Sequence, residues 1–116
     1  MRTWTEPCGK ERAKIVEARG VRFCCLPQTW TYHAALGKHA CRISQGQRRG
    51  KETKTGFEVD SVWFVNLTET QPNGDSKNIH HAEIPITGAT GSEEDVKAFA
   101  FELGAKLLLD VQRPKL

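Results

Sequence analysis

The chain has 116 residues, a length that fits one globular domain over residues 1–116. Leu, Ile, Val and Phe supply 25 of them, above the roughly 20% below which chains tend to stay disordered. No apolar run approaches the roughly 18 residues of a membrane span, and the opening MRTWTEPCGKER has no apolar signal core. A cytoplasmic protein outside the membrane is therefore expected. The formal charge is only +3, but residues 1–56 hold twelve Lys/Arg against four Asp/Glu, and residues 57–116 five against ten. This asymmetry predicts one face of positive potential, the footprint of a polyanionic or acidic partner. The alternative is that the two halves interleave and their charges pair across a sheet.

Residues 9–19 (GKERAKIVEAR) make no single apolar stripe on a helical wheel and read as a strand, joined to the next through an Ala-Arg-Gly turn with a bulge. Val21 to Leu26 is short, apolar and bounded by Gly20 and Pro27. Trp30 to Leu36 alternates, with Trp30, Tyr32 and Ala34 on one face. His39 to Gln45 follows after Gly37-Lys38, a connection short enough for a hairpin. Residues 45–56 then read as a polar loop with three glycines and four cations, Arg48, Arg49, Lys51 and Lys54, against one acid. Phe57 to Thr68 is the longest strand, placing Phe57, Val59, Trp63, Val65 and Leu67 on one face. A turn over 71–75 leads to Asn78–Thr87, a strand that ends or lies at an edge at Pro85 because proline cannot donate to a ladder. Gly88 to Ser92 is a capping turn, and Ser92 with Glu93, Glu94 and Asp95 opens a helix over 92–112 that Pro114 stops. The expected architecture is α+β, an antiparallel sheet of four to six strands with one C-terminal helix across one face.

The basic loop is the leading functional candidate, because long cations on a hairpin can track phosphates and release counterions. Arg22, Arg42 and Lys38 in neighbouring strands extend the patch, and Trp30 and Tyr32 offer rings on which unpaired bases stack. The expected function is binding of single-stranded DNA or RNA. The alternative is a protein-interaction module or inhibitor that docks the same basic face on an acidic protein partner. Neither involves catalysis, since no local signature ties the cysteines and histidines together. Four cysteines are too few for a disulfide scaffold and lack the paired knuckles of structural zinc, so reduced thiols with no metal and no cofactor are expected. His39 and Cys41, on one strand face, are the nearest approach to a ligand pair.

The helix has two apolar flanks. Val96, Phe99, Leu103 and Leu107 are expected on the sheet, leaving Phe101, Ala105, Leu108 and Leu109 for the N-terminal segment or for a homodimer. The dimer is preferred because the apolar content of the N-terminal segment is thin. Gly104, costly within a helix, suggests a close approach by another backbone.

Overall fold

The computed structural model describes residues 1–25, 28–86 and 92–113. Seven strands, β1 (Arg2–Cys8), β2 (Glu11–Ala18), β3 (Val21–Cys25), β4 (Thr31–Leu36), β5 (His39–Thr53), β6 (Gly56–Thr70) and β7 (Ser76–Pro85), precede one helix, α1 (Glu93–Asp110). Each strand pairs antiparallel with the next, so the spatial order is β1 to β7. The helix packs across one face, touching β2, β5, β6 and β7. This is the α+β architecture expected from the sequence, with β1 added beyond the expected four to six strands. That strand alternates polar and half-buried residues and gives little hydrophobic signal of its own.

Short turns make a meander possible. Residues 9–19 form β2 as expected, and Ala18 faces Val21 across Arg19 (φ 51°) and Gly20 (φ 77°). Two consecutive left-handed residues match the right-handed twist of the flanking strands, so no bulge is needed. Gly37-Lys38 closes the next hairpin, pairing Leu36 with His39. β7 ends at Pro85 on the edge of the sheet, where the missing donor costs nothing. Ser92 caps α1 in a capping box: its hydroxyl accepts from the Asp95 amide at 3.1 Å while its own amide donates to the Asp95 carboxylate at 3.3 Å. The rest of the expected capping turn, residues 88–91, lies outside the described residues, as do Leu26 and Pro114.

Residues 45–56 are not a loop. β5 runs through to Thr53 and β6 begins at Gly56, leaving only Lys54-Thr55 as the turn. β4 pairs with β5 no further than Ser44, and β7 with β6 no further than Val62, so the rest of this hairpin projects as a two-stranded arm. Two of its three glycines, Gly46 and Gly50, read as loop residues but are covered from across the ladder. A Cβ on Gly46 would lie 2.7 Å from the Phe64 ring, and one on Gly50 would lie 2.9 Å from the Asp60 carboxylate.

The core lies between helix and sheet. Val16, Val21, Phe23, Ala34, Cys41, Ile43, Trp63, Val65 and Leu67 meet Val96, Ala100, Phe101, Ala105 and Leu108. The helix is rotated from the expected orientation. Phe101, Ala105 and Leu108, assigned to a dimer contact, are fully buried against the sheet, and Leu109 is half-buried, whereas Phe99 is 59% exposed. The physical reason is close approach. A helix seats on its smallest residues, here Ala100, Gly104 and Ala105, and a Cβ on Gly104 would lie 2.7 Å from Ile43 Cδ1 and 3.0 Å from Cys41 Sγ. Phe101 then enters an aromatic nest, edge-on to Phe23 (5.3 Å), Tyr32 (4.9 Å) and Trp63 (5.8 Å). The apolar flank that argued for a dimer is thus consumed within one chain.

Three outcomes test this packing. Phe101→Ala should cost about 3–5 kcal/mol, and Phe99→Ala no more than about 0.5 kcal/mol, in denaturant titrations. The reverse order would restore the other helix face. Gly104→Ala gains about 1 kcal/mol of helix propensity but overpacks Ile43 and Cys41 by about 1–3 kcal/mol, so its melting temperature should fall. Burial pushes the Cys41 thiol up from 9.0 to about 12. Its protonated form is therefore favoured by folding, and that stability is complete below pH 9 and lost as pH rises towards 12. Cys41→Ser should flatten the alkaline decline in denaturation midpoint, and an unchanged decline would exclude Cys41 as its source.

Candidate functional site

The expected basic patch divides between the two faces of the sheet. In β5, Arg42 and Arg48 alternate with the helix-facing Cys41 and Ile43 and so lie on the open face, as does Arg22 in β3. Arg22 is ion-paired to Glu6, and Arg48 to both Asp60 (3.6 Å) and Glu83 (3.5 Å). Hydrogen bonds from His81 and then Arg48 hold the Glu83 carboxyl below the ordinary carboxylate range. Lys38 pairs with Glu69 at 2.9 Å and sits at the opposite end of β5 from the arm, roughly 20–25 Å of strand before the arm begins. Arg42 lies in register between His33 and Asn66 and has no ion pair among the described residues. Arg49 is on the helix side of the arm, its guanidinium 4.0 Å above the Phe57 ring. Lys51 and Lys54 are exposed near the arm tip. Glu52, Glu58 and Asp60 share this arm, so its charge is close to balanced.

The helix face offers a better-formed site. Along β5 the inward positions change from Cys41 and Ile43 to Gln45 and Gln47, and along β6 Trp63 gives way to Ser61. That change falls where the helix begins, and a cleft of about 630 Å³ opens there. Its floor comes from Gln45, Gln47, Ser61 and Trp63, and its walls from Arg12 and Lys14 of β2, from Gln28, Thr29, Trp30 and Tyr32 before and within β4, and from Glu93, Glu94 and Lys97 of α1. The size lies within the range of small-molecule sites. Sequence reasoning named Trp30 and Tyr32 but missed Arg12, Lys14 and Lys97, because these cations share no sequence neighbourhood.

Each wall is shaped by local structure. Arg12 Nε donates to Thr5 Oγ1 at 2.9 Å across the β1–β2 pair, which fixes its guanidinium. Lys14 and Lys97 have no ion pair among the described residues. Gln28 holds a left-handed φ of 66°, a strained conformation for this residue, just before Trp30. Trp30 is 84% exposed, whereas Tyr32 is half-buried with its ring edge-on to Phe101. Burial first, and the neighbouring Cys25 second, push the Tyr32 phenol above its usual value. Trp63 is 5% exposed, and its indole Nε1 has no hydrogen-bond partner among the described residues. Such a donor costs about 1–3 kcal/mol while unpaired.

Among the described residues no disulfide joins the cysteines, and Cys25 and Cys41 are buried as expected. His39 and Cys41 serve the fold: Gln112 Nε2 lies 3.1 Å from His39 Nδ1 and donates to the Leu36 carbonyl, while Cys41 lies beneath Gly104. Among the described residues no three His, Cys, Asp or Glu side chains gather as metal ligands. No described helix is long and apolar enough to cross a membrane. The chain matches no protein-family model, no curated protein and no solved structure.

Proposed function

We propose that the protein is a non-catalytic binding module for single-stranded nucleic acid, and that its site is the cleft at the start of α1, continued along the helix side of the β5–β6 arm. The observation that carries this reading is Trp30, 84% exposed beside Arg12, Lys14 and Lys97 on the rim of the cleft. A large ring held away from the core is costly to leave wet and becomes useful when a base stacks on it. Cations nearby supply the counterion release that accompanies phosphate binding. Beyond the cleft, Arg49 and the half-exposed Phe57 repeat the pairing of cation and ring. The basic residues named from sequence thus take a lesser part: Arg49, Lys51 and Lys54 extend the site, while Arg22, Arg48 and Lys38 are engaged by acids. All of these residues come from one chain, so the site needs no second copy.

A second reading rests on Phe57 and Val59, which are 47% and 54% exposed on the arm. With Arg49 and Lys51 they suit an acidic protein surface that also offers apolar contact.

Fluorescence anisotropy with single-stranded and duplex oligonucleotides over a salt series separates the two. Single strands should bind more tightly than duplex, and Trp30→Ala should weaken them about tenfold, the effect of losing roughly 1–3 kcal/mol of stacking. Neutralising Arg12, Lys14 and Lys97 should lower the salt slope by about 0.7 for each phosphate that is no longer neutralised. Absence of binding at low salt would remove the nucleic-acid reading and leave the protein partner.

A further inference from the structure

We infer that the cleft accepts one unstacked nucleotide as a discrete unit, with the base against Trp30 and the phosphate towards Arg12 and Lys14, so that a free nucleoside monophosphate is itself a ligand. This rests on the single-strand reading above and narrows it from a surface that tracks a strand to a pocket that takes one residue of it.

Three features point to a pocket. The cleft of about 630 Å³ is bounded by the start of α1 and falls in the size range that encloses a single small molecule. Trp30 follows directly on a constrained segment: Gln28 holds its strained φ of 66°, and Cys25 Sγ donates to the Thr29 carbonyl at 3.4 Å. Strain of this kind concentrates at ligand clamps. The floor is polar where a base edge would reach it. The Gln45 and Gln47 amides each carry both donors and an acceptor. Trp63 lies beside them, and its Nε1 is buried and has no hydrogen-bond partner among the described residues.

Charge sets the orientation. A helix N-terminus ordinarily attracts a phosphate, but here Glu93 and Glu94 occupy its first turn and line the cleft. Lys97 is the i+4 neighbour of Glu93 and is partly offset by it. Arg12 and Lys14, on β2, are the cations left for an anion, and Arg12 is already held by Thr5. The base is then directed to the Trp30 and Gln45–Gln47 side.

The full chain would be titrated with adenosine and uridine 5′-monophosphates, with the two nucleosides, and with inorganic phosphate, following amide and indole N–H signals by NMR. The monophosphates should shift the Trp30 and Trp63 indole signals and the Gln45 and Gln47 side-chain amides, and should bind more tightly than nucleoside or phosphate. Trp30→Ala should weaken the monophosphate about tenfold without lowering the melting temperature, since the ring is exposed. Arg12→Gln with Lys14→Gln should weaken the monophosphate several-fold and leave nucleoside binding unchanged. If oligonucleotides bind but monophosphates leave the cleft signals in place, this inference fails while the broader proposal stands. If neither binds, both fall.

Discussion

The contact of Phe101 and Gly104 with the sheet is the constraint on which the remaining structure depends. Among the described residues β3 and β4 are joined in register by Cys24 with His33. Phe101 spans this seam, with its ring against Phe23 on one side and Tyr32 on the other. Gly104 lets the helix come close enough for that ring to reach, because any side chain there would meet Ile43 and Cys41. The helix thereby braces the β3–β4 seam in addition to the sheet's own hydrogen bonds. The ion pair between Arg19 and Glu102, at 2.8 Å, ties the β2–β3 turn to the same helix.

That seating also creates the cleft. The helix is anchored by buried residues from Val96 onward, so its first turn, Glu93 to Asp95, puts acidic rather than apolar side chains at this end of the sheet. Gln45, Gln47 and Ser61 are the side chains a strand carries where its inward face meets water. Tyr32 and Trp63 belong to both regions, closing the core around Phe101 and lining the cleft. The cleft therefore borders the buried core, while Trp30 and the arm extend from it into solvent.

The charge asymmetry of the chain takes a different form in space. In antiparallel pairing, the basic stretch of β5 lies directly against the acidic start of β6, and Arg48 faces Asp60 in register. Glu83 reaches the same guanidinium from β7. Arg22 meets Glu6 across β2, and Lys38 meets Glu69. The interleaving of the two halves neutralises much of what looked like a basic face. What stays available is Arg42 on the open face and a smaller group of cations on the helix side.

Several elements were legible from sequence because the interactions behind them are local. The two-residue periods of Val21–Cys25 and of the central part of β6, the Gly37-Lys38 hairpin, the Pro85 stop and the Ser92 N-cap each depend on residues a few positions apart. The arm was not legible, since Gly46 and Gly50 look like loop residues until Phe64 and Asp60 cover them from the partner strand. Nor was the helix orientation. Both flanks are apolar, and the choice between them was made by the depth available at Ile43 and Cys41, which no helical wheel contains. The cleft joins Arg12, Trp30, Gln45, Trp63 and Lys97, five residues scattered over most of the chain. Local chemistry specified the strands, turns and cap. Packing across long sequence separations decided which faces meet, which charges cancel and where a ligand can enter.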